Sequence, residues 1–157
     1  MEPVEILLIE DNPNDAELIL RAFRKRNLSA VFHVLKDGAE AADFLFGAGK
    51  SQVPGFFSKL KVIFLDLKLP KVSGLELLAK IKADAWLKEI PVVVLTSSEE
   101  DRDIVESYRL GANSYVVKPV DYDKFFGAIC DVGLYWFFIN RPPRQDSHGT
   151  GTPDLDR

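Results

Sequence analysis

Three short apolar runs in this 157-residue chain end on charge. Ile6-Leu7-Leu8-Ile9 leads into Glu10-Asp11, Val62-Ile63-Phe64-Leu65 into Asp66, and Tyr115-Val116-Val117 into Lys118-Pro119. Runs this short and this apolar read as strands buried on both faces, the pattern of a parallel sheet. Parallel strands bring their carboxyl ends to one edge, and in open α/β sheets ligands bind outside that edge. The three runs therefore gather three carboxylates and one ammonium. Such a grouping suits a visiting cation together with a visiting anion.

Between the strands the chain reads as helix. Asn12 is placed to cap a helix with Pro13 at its first position, where a missing N–H costs nothing. Ala16, Ile19, Leu20 and Phe23 then recur at the spacing of one helical face. Residues 30–35 are rich in β-preferring types and read as the second strand. Asp37-Gly38 opens a short helix over 39–46, and 47–60 is a long connection before the third strand at 61–66. Ser73-Gly74-Leu75-Glu76 is a capping box, and Gly74, Leu77, Leu78 and Ile81 face inward on the helix it starts. Residues 91–95 form the fourth strand. Ser98 to Asp101 repeats the capping pattern, and Ile104, Val105 and Tyr108 follow at helical spacing. Gly111 ends that helix as a left-handed cap would. The fifth strand covers 114–117 and the last helix about 122–139.

Five strands alternating with five helices predict one α/β domain with a parallel sheet and helices on both faces. The domain covers 1–140. Residues 141–157, with two prolines in tandem, glycines and scattered charges, read as a flexible tail. A hydrophobic share of 46% and a charged share of 28% fit an ordinary globular protein. The net charge of -4 leaves no footprint for nucleic acid. Cys130, the one cysteine, excludes an internal disulfide framework, fits a reducing compartment and reads as a small core hydrophobe. The acidic amino terminus is unlike a secretory leader. The apolar stretch over 133–139 is far too short to cross a bilayer. No membrane association is expected, and the expected compartment is the cytoplasm.

Glu10, Asp11 and Asp66 would repel one another, raising at least one pKa unless a cation lies between them. A hard divalent ion such as Mg²⁺ takes oxygen ligands of this kind. Lys118 supplies a compact positive charge suited to a phosphoryl group, and Thr96, just past the fourth strand, adds a hydroxyl at the same edge.

The set Glu10-Asp11, Asp66, Thr96 and Lys118-Pro119 resembles the receiver domain of two-component response regulators, and the resemblance covers 4 to about 139. The segments Glu10-Asp11-Asn12-Pro13-Asn14-Asp15, Leu65-Asp66-Leu67-Lys68-Leu69-Pro70 and Leu110-Gly111-Ala112-Asn113-Ser114-Tyr115 are similar, more narrowly, to single-domain regulators associated with phytochromes. The resemblance implies a flavodoxin-like, doubly wound five-stranded sheet of order 2-1-3-4-5. It implies that Asp66 accepts a phosphoryl group from a sensor histidine kinase, with a phytochrome kinase among the candidates. It implies Mg²⁺ held by Asp11, Asp66 and the Lys68 carbonyl, with Glu10 acting through a metal-bound water. Lys118 and Thr96 would contact the phosphoryl oxygens, Pro119 would follow a cis bond, and Thr96 with Tyr115 would form a switch. Signalling would then pass through the surface of the fourth helix, fifth strand and fifth helix. The only reactions catalysed would be the chain's own phosphorylation and dephosphorylation. Lys68 occupies a position at which the family tunes dephosphorylation.

Rival readings are weaker. Gly49-Lys50-Ser51 imitates the end of a P-loop, but Phe44 stands where that loop needs glycine. A flavin carrier must cradle phosphate in its first loop, where Glu10, Asp11 and Asp15 would repel it. A haloacid-dehalogenase-type phosphatase needs an acid where Lys68 stands. His33 and His148 are too separated for a metal cluster. The remaining alternative is a receiver-like interaction module that works without phosphorylation.

The last helix carries more apolar surface than one sheet face needs. Phe125, Phe126, Ile129 and Trp136 form an inward stripe. Val132, Leu134, Tyr135, Phe137, Phe138 and Ile139 make its second half apolar nearly all round. This surplus predicts a homodimer, with Phe126, Tyr135, Trp136 and Phe137 in the interface.

Overall fold

The computed structural model describes residues 4–47 and 57–143. Its elements are β1 (Ile6–Ile9), α1 (Pro13–Lys25), β2 (Phe32–Leu35), α2 (Gly38–Phe46), β3 (Val62–Leu65), α3 (Gly74–Ala83), β4 (Val92–Thr96), α4 (Asp101–Arg109), β5 (Ser114–Val117) and α5 (Tyr122–Gly133). A short 3₁₀ turn, Leu87–Glu89, precedes β4, and a π-helical segment, Leu134–Ile139, extends α5. The strands are all parallel, in the order β2-β1-β3-β4-β5. The fold expected from the sequence is therefore the fold observed. Among the described residues no helix is long and apolar enough to cross a membrane.

The period-two alternation of each strand divides the core into two layers. Leu7, Ile9, Ile63, Leu65, Val92 and Val94 pack with Leu45 of α2 and Leu77, Leu78 and Ile81 of α3. Ile6, Leu8, Val62, Phe64, Val93 and Leu95 pack on the opposite face with Ile19 and Phe23 of α1 and Phe125 and Ile129 of α5. Cys130 is buried in this second layer, as its apolar surroundings in the sequence led us to expect. Both faces of the central strands are covered, which is why their sequence is continuously apolar.

Several local signals hold. Asn12 caps α1 through its side chain, Asp37 caps α2, and Ser73 accepts from the Glu76 N–H at α3. Gly111 has φ 106°, a conformation that favours glycine. Gly74 lies so close to the Asp66 carbonyl and Leu67 Cα that a Cβ would collide with backbone, and α3 can therefore start directly beneath the loop that follows β3.

Four expectations need correction. The capping pattern at Ser98 does not start α4. The helix begins at Asp101 without a side-chain cap, because the Ser98 Oγ–H instead donates to Asp103. The spacing of Val105 and Tyr108 does not mark a buried face: they are 58% and 51% exposed, while Ser107 is fully buried. Next to β5, an edge strand that is itself only half-buried, α4 covers little of the core. The Lys118–Pro119 bond is trans, since the described chain contains no cis peptide. Trans is the lower-energy isomer for an X–Pro bond by about 0.5–1 kcal/mol.

The fourth correction concerns Phe137, which is buried in the core with its ring 6.2 Å from that of Phe23, and so is not a surface residue. Trp136, expected on the inward stripe, is only partly buried. In a π-helical turn the hydrogen bonds run from i to i+5, so each turn carries more residues. The inward line then runs Ile129, Gly133, Phe137 instead of reaching Trp136. The Gly49-Lys50-Ser51 segment and tail residues 144–157 lie outside the described residues.

Candidate functional site

β1 and β3 are neighbours in register, Ile9 beside Leu65, so the residues after them, Glu10 and Asp66, emerge side by side. Both remain tied to the sheet by their backbones: Glu10 N–H donates to Leu35 O at 2.9 Å and Asp66 N–H to Ile9 O at 3.0 Å. The carboxylates are thus positioned by the continuing ladder and not by a loose loop. β5 lies beyond β4, yet the Lys118 backbone N–H donates to Thr96 O at 2.7 Å, and its side chain crosses the end of β4 towards Asp66.

Lys118 Nζ donates to Glu10 Oε2 at 2.6 Å, Asp15 Oδ2 at 2.9 Å and Asp66 Oδ2 at 3.1 Å. An ammonium has three donors, and these three carboxylates occupy all of them. The other Asp66 oxygen accepts from the Lys68 N–H at 3.2 Å, and the other Glu10 oxygen from the Asn12 N–H at 3.1 Å. Asp11 is exposed at the rim. Glu10, Asp11 and Asp66 each offer an oxygen within 4.8 Å of the others. That oxygen-only donor set fits a hard divalent cation such as Mg²⁺.

The electrostatics reflect one cation shared among too many acids. Burial, and then the charge of Asp66, push the Glu10 carboxyl up to about 7, and Lys118 offsets this only in part. Burial also disfavours the Lys118 ammonium, but the hydrogen bond and charge of Glu10 and the charge of Asp66 outweigh it. They hold Lys118 above the ordinary lysine value. The lysine is firmly charged while Glu10 remains under-compensated, and a second positive charge would relieve it.

Thr96 is fully buried at the end of β4. Its Oγ1 accepts from the Ser98 N–H at 3.5 Å. Tyr115 points inward, its hydroxyl donating to Ser98 O at 2.9 Å. Burial first, with the charges of Asp103, Asp66 and Glu100, raises the Tyr115 phenol above the usual tyrosine value. Ser98 Oγ donates to Asp103 Oδ2 at 2.5 Å. Ser98 therefore joins Thr96, Tyr115 and the first turn of α4.

The structure brings Glu10, Asp11, Asp66, Lys118 and the Lys68 backbone together, with Thr96 and Tyr115 on the two adjacent strands. Phe126, Tyr135 and Trp136 lie on α5 and its extension, apart from this edge. Two participants escaped the sequence reading, Asp15 and Ser98. Asp15 had a signal, since it lies four residues beyond Asp11 in the first turn of a helix that begins at the acidic edge.

Residues 6–130 match the response regulator receiver domain family. The probable methanogenesis regulatory protein FilR2 of Methanothrix harundinacea is 39% identical over 145 residues, covering 90% of this chain and 89% of its own length. Among solved structures, the bacteriophytochrome response regulator AtBRR is 48% identical with a TM-score of 0.63, covering 90% of this chain and 100% of its own. The phosphorylated cyanobacterial phytochrome response regulator RcpA is 35% identical with a TM-score of 0.80, covering 90% and 99%. With the acidic edge, the crossing lysine and the strand order already in place, these matches settle the lineage: the chain belongs to the response regulator receiver domain family, and phytochrome response regulators are among its relatives.

Proposed function

We propose that this protein is a phosphorylation-controlled signalling regulator in which Asp66 is the phosphoryl acceptor. The observation that carries the reading is the Lys118 ammonium, drawn across the sheet edge onto Asp66 beside two more carboxylates. An Asp66 oxygen attacks the phosphorus of a phosphohistidine on a sensor kinase. The P–O bond forms as the P–N bond breaks, and the departing imidazole takes up a proton. Hydrolysis reverses the state: water attacks phosphorus, the P–O bond breaks, and Asp66 returns to a carboxylate with release of inorganic phosphate. Such transfers need chiefly alignment and charge stabilisation. Lys118 holds one phosphoryl oxygen, Thr96 donates its hydroxyl to another, and the Lys68 N–H orients the Asp66 carboxylate. Asp11, Asp66 and the Lys68 carbonyl would hold Mg²⁺, with Glu10 through water; when bound, the ion supplies positive charge against the carboxylates and phosphoryl oxygens.

Similarity to RcpA and AtBRR supports a kinase of the phytochrome type as partner. The response passes from Thr96 through Ser98 and Tyr115 to the α4-β5-α5 surface, where Val105 and Tyr108 are exposed. The domain spans 1–140, the tail follows it, and the compartment is the cytoplasm. The chain pairs with a second copy through Phe126, Tyr135 and Trp136, joined by the exposed Phe138.

The test is incubation with a phosphorylated kinase and Mg²⁺, read by intact mass. Wild-type chain should gain one phosphoryl group and Asp66→Asn none. Removal of divalent cations should stop the gain. Equal labelling of Asp66→Asn would refute the assignment, and no labelling of wild type would leave an interaction module.

A further inference from the structure

Asp15 touches the site without belonging to the carboxylate group that suits a cation. Glu10 and Asp66 serve both Lys118 and that group, whereas Asp15 serves Lys118 alone. We infer that Asp15 is the acceptor Lys118 gives up when an anion arrives at Asp66. This rests on the proposed phosphoryl chemistry.

Lys118 has three donors and three carboxylate partners, so a phosphoryl oxygen can gain a donor only if one partner loses it. Glu10 is the costly one to abandon. Its side chain is 1% exposed, and a buried carboxylate stripped of its cation carries a large penalty. Asp66 carries the incoming group itself, so it stays within reach of Lys118. Asp15 is the cheap one: its side chain is 27% exposed, so water can replace the ammonium. It also sits in the first turn of α1, where the helix N-terminus stabilises negative charge. Asp15 is thus a positioning residue. It parks the lysine in the resting site and competes with the phosphoryl group for it.

The test measures the affinity of the Mg²⁺-saturated protein for beryllofluoride, a phosphoryl mimic, by calorimetry. Asp15→Asn and Asp15→Ala should both bind it more tightly, by up to about fivefold, the size of a partly exposed ion pair. Asp15→Glu, which keeps a charged acceptor, should return affinity towards wild type. Glu17→Gln is the control for removal of an α1 charge, because Glu17 pairs with Arg24 at 3.0 Å and does not contact Lys118. Its affinity should stay at the wild-type value. Affinity for Mg²⁺ alone should not tighten in any variant. Unchanged or weaker beryllofluoride binding in the Asp15 variants would overturn the inference, as would an equal gain in Glu17→Gln. If wild type took up no beryllofluoride, the phosphoryl reading would fall, and the inference with it.

Discussion

Lys82 sends its ammonium to three neutral oxygens: Lys88 O at 3.1 Å, Ile90 O at 2.9 Å and Asn113 Oδ1 at 3.0 Å. Asn113 also accepts from the Val92 N–H at 2.9 Å, so one lysine ties the end of α3 to the approaches of β4 and β5. Burial lowers its pKa from 10.5 to about 8. Between those values the unfolded chain binds more protons than the folded one. The contribution of this group to stability therefore rises with pH across that window and is flat below about 8. An NMR titration should give the Lys82 side chain a midpoint near 8. A Lys82 midpoint among ordinary lysines would mean that its three acceptors cancel the cost of burial. Glu10, Asp66 and Lys118 could be singled out because each follows an apolar run that names its place on the sheet. Asp15 and Lys82 follow no such run. Their roles arise from side chains reaching across elements; spacing places Asp15 near the acidic edge but encodes neither its contact with Lys118 nor the three acceptors of Lys82.

Strands β1, β3 and β4 and helices α1 to α3 could be read from the chain because both sides of the pattern, apolar period and capping residue, agree there. At α4 they disagree. Ser98 has the right type for an N-cap, but its hydroxyl donates to Asp103 and its carbonyl accepts from Tyr115, so the helix starts later. Removing the hydroxyl in Ser98→Ala should destabilise the fold by about 1.5–3 kcal/mol, the worth of a hydrogen bond to a charged group. Chemical denaturation measures this. Hydrogen exchange should also quicken at the start of α4, and unchanged exchange there would mean that Ser98 does not anchor the helix. At the end of α5 the inward line is set by Gly133, whose absent Cβ leaves room for the Phe23 ring. A methyl placed there would meet Phe23 Cζ at 2.7 Å. Gly133→Ala would gain about 1 kcal/mol of helix propensity. Overpacking costs about 1–3 kcal/mol, and the ring it would displace, Phe23, is itself deeply buried. The expected result is a lower Tm, and a raised one would show that the ring yields.

The acidic edge and the aromatic extension stand at opposite ends of the sheet. Glu10, Asp66 and Lys118 stand at the carboxyl edge of the sheet. The π-helical extension of α5 lies at the opposite edge, where Lys61, the residue before β3, places its ammonium 4.5 Å from the Phe137 ring centroid. Tyr135 and Phe138 are exposed on that extension. If they join two chains, wild type should sediment at twice the 17.6 kDa of one chain. The Tyr135→Glu, Phe138→Glu double variant should then sediment as a single chain with its melting behaviour intact. A double variant that sediments like wild type would exclude this surface. Opposite placement of the two ends also has a consequence for valency. A pair of chains joined at the aromatic end leaves both Asp66 residues uncovered, and each can still meet a phosphodonor. A partner that carries two such donors can then engage both chains, and its second contact becomes intramolecular. On the proposed function, pairing at the aromatic end would set how long the chain stays with such a partner without touching Asp66.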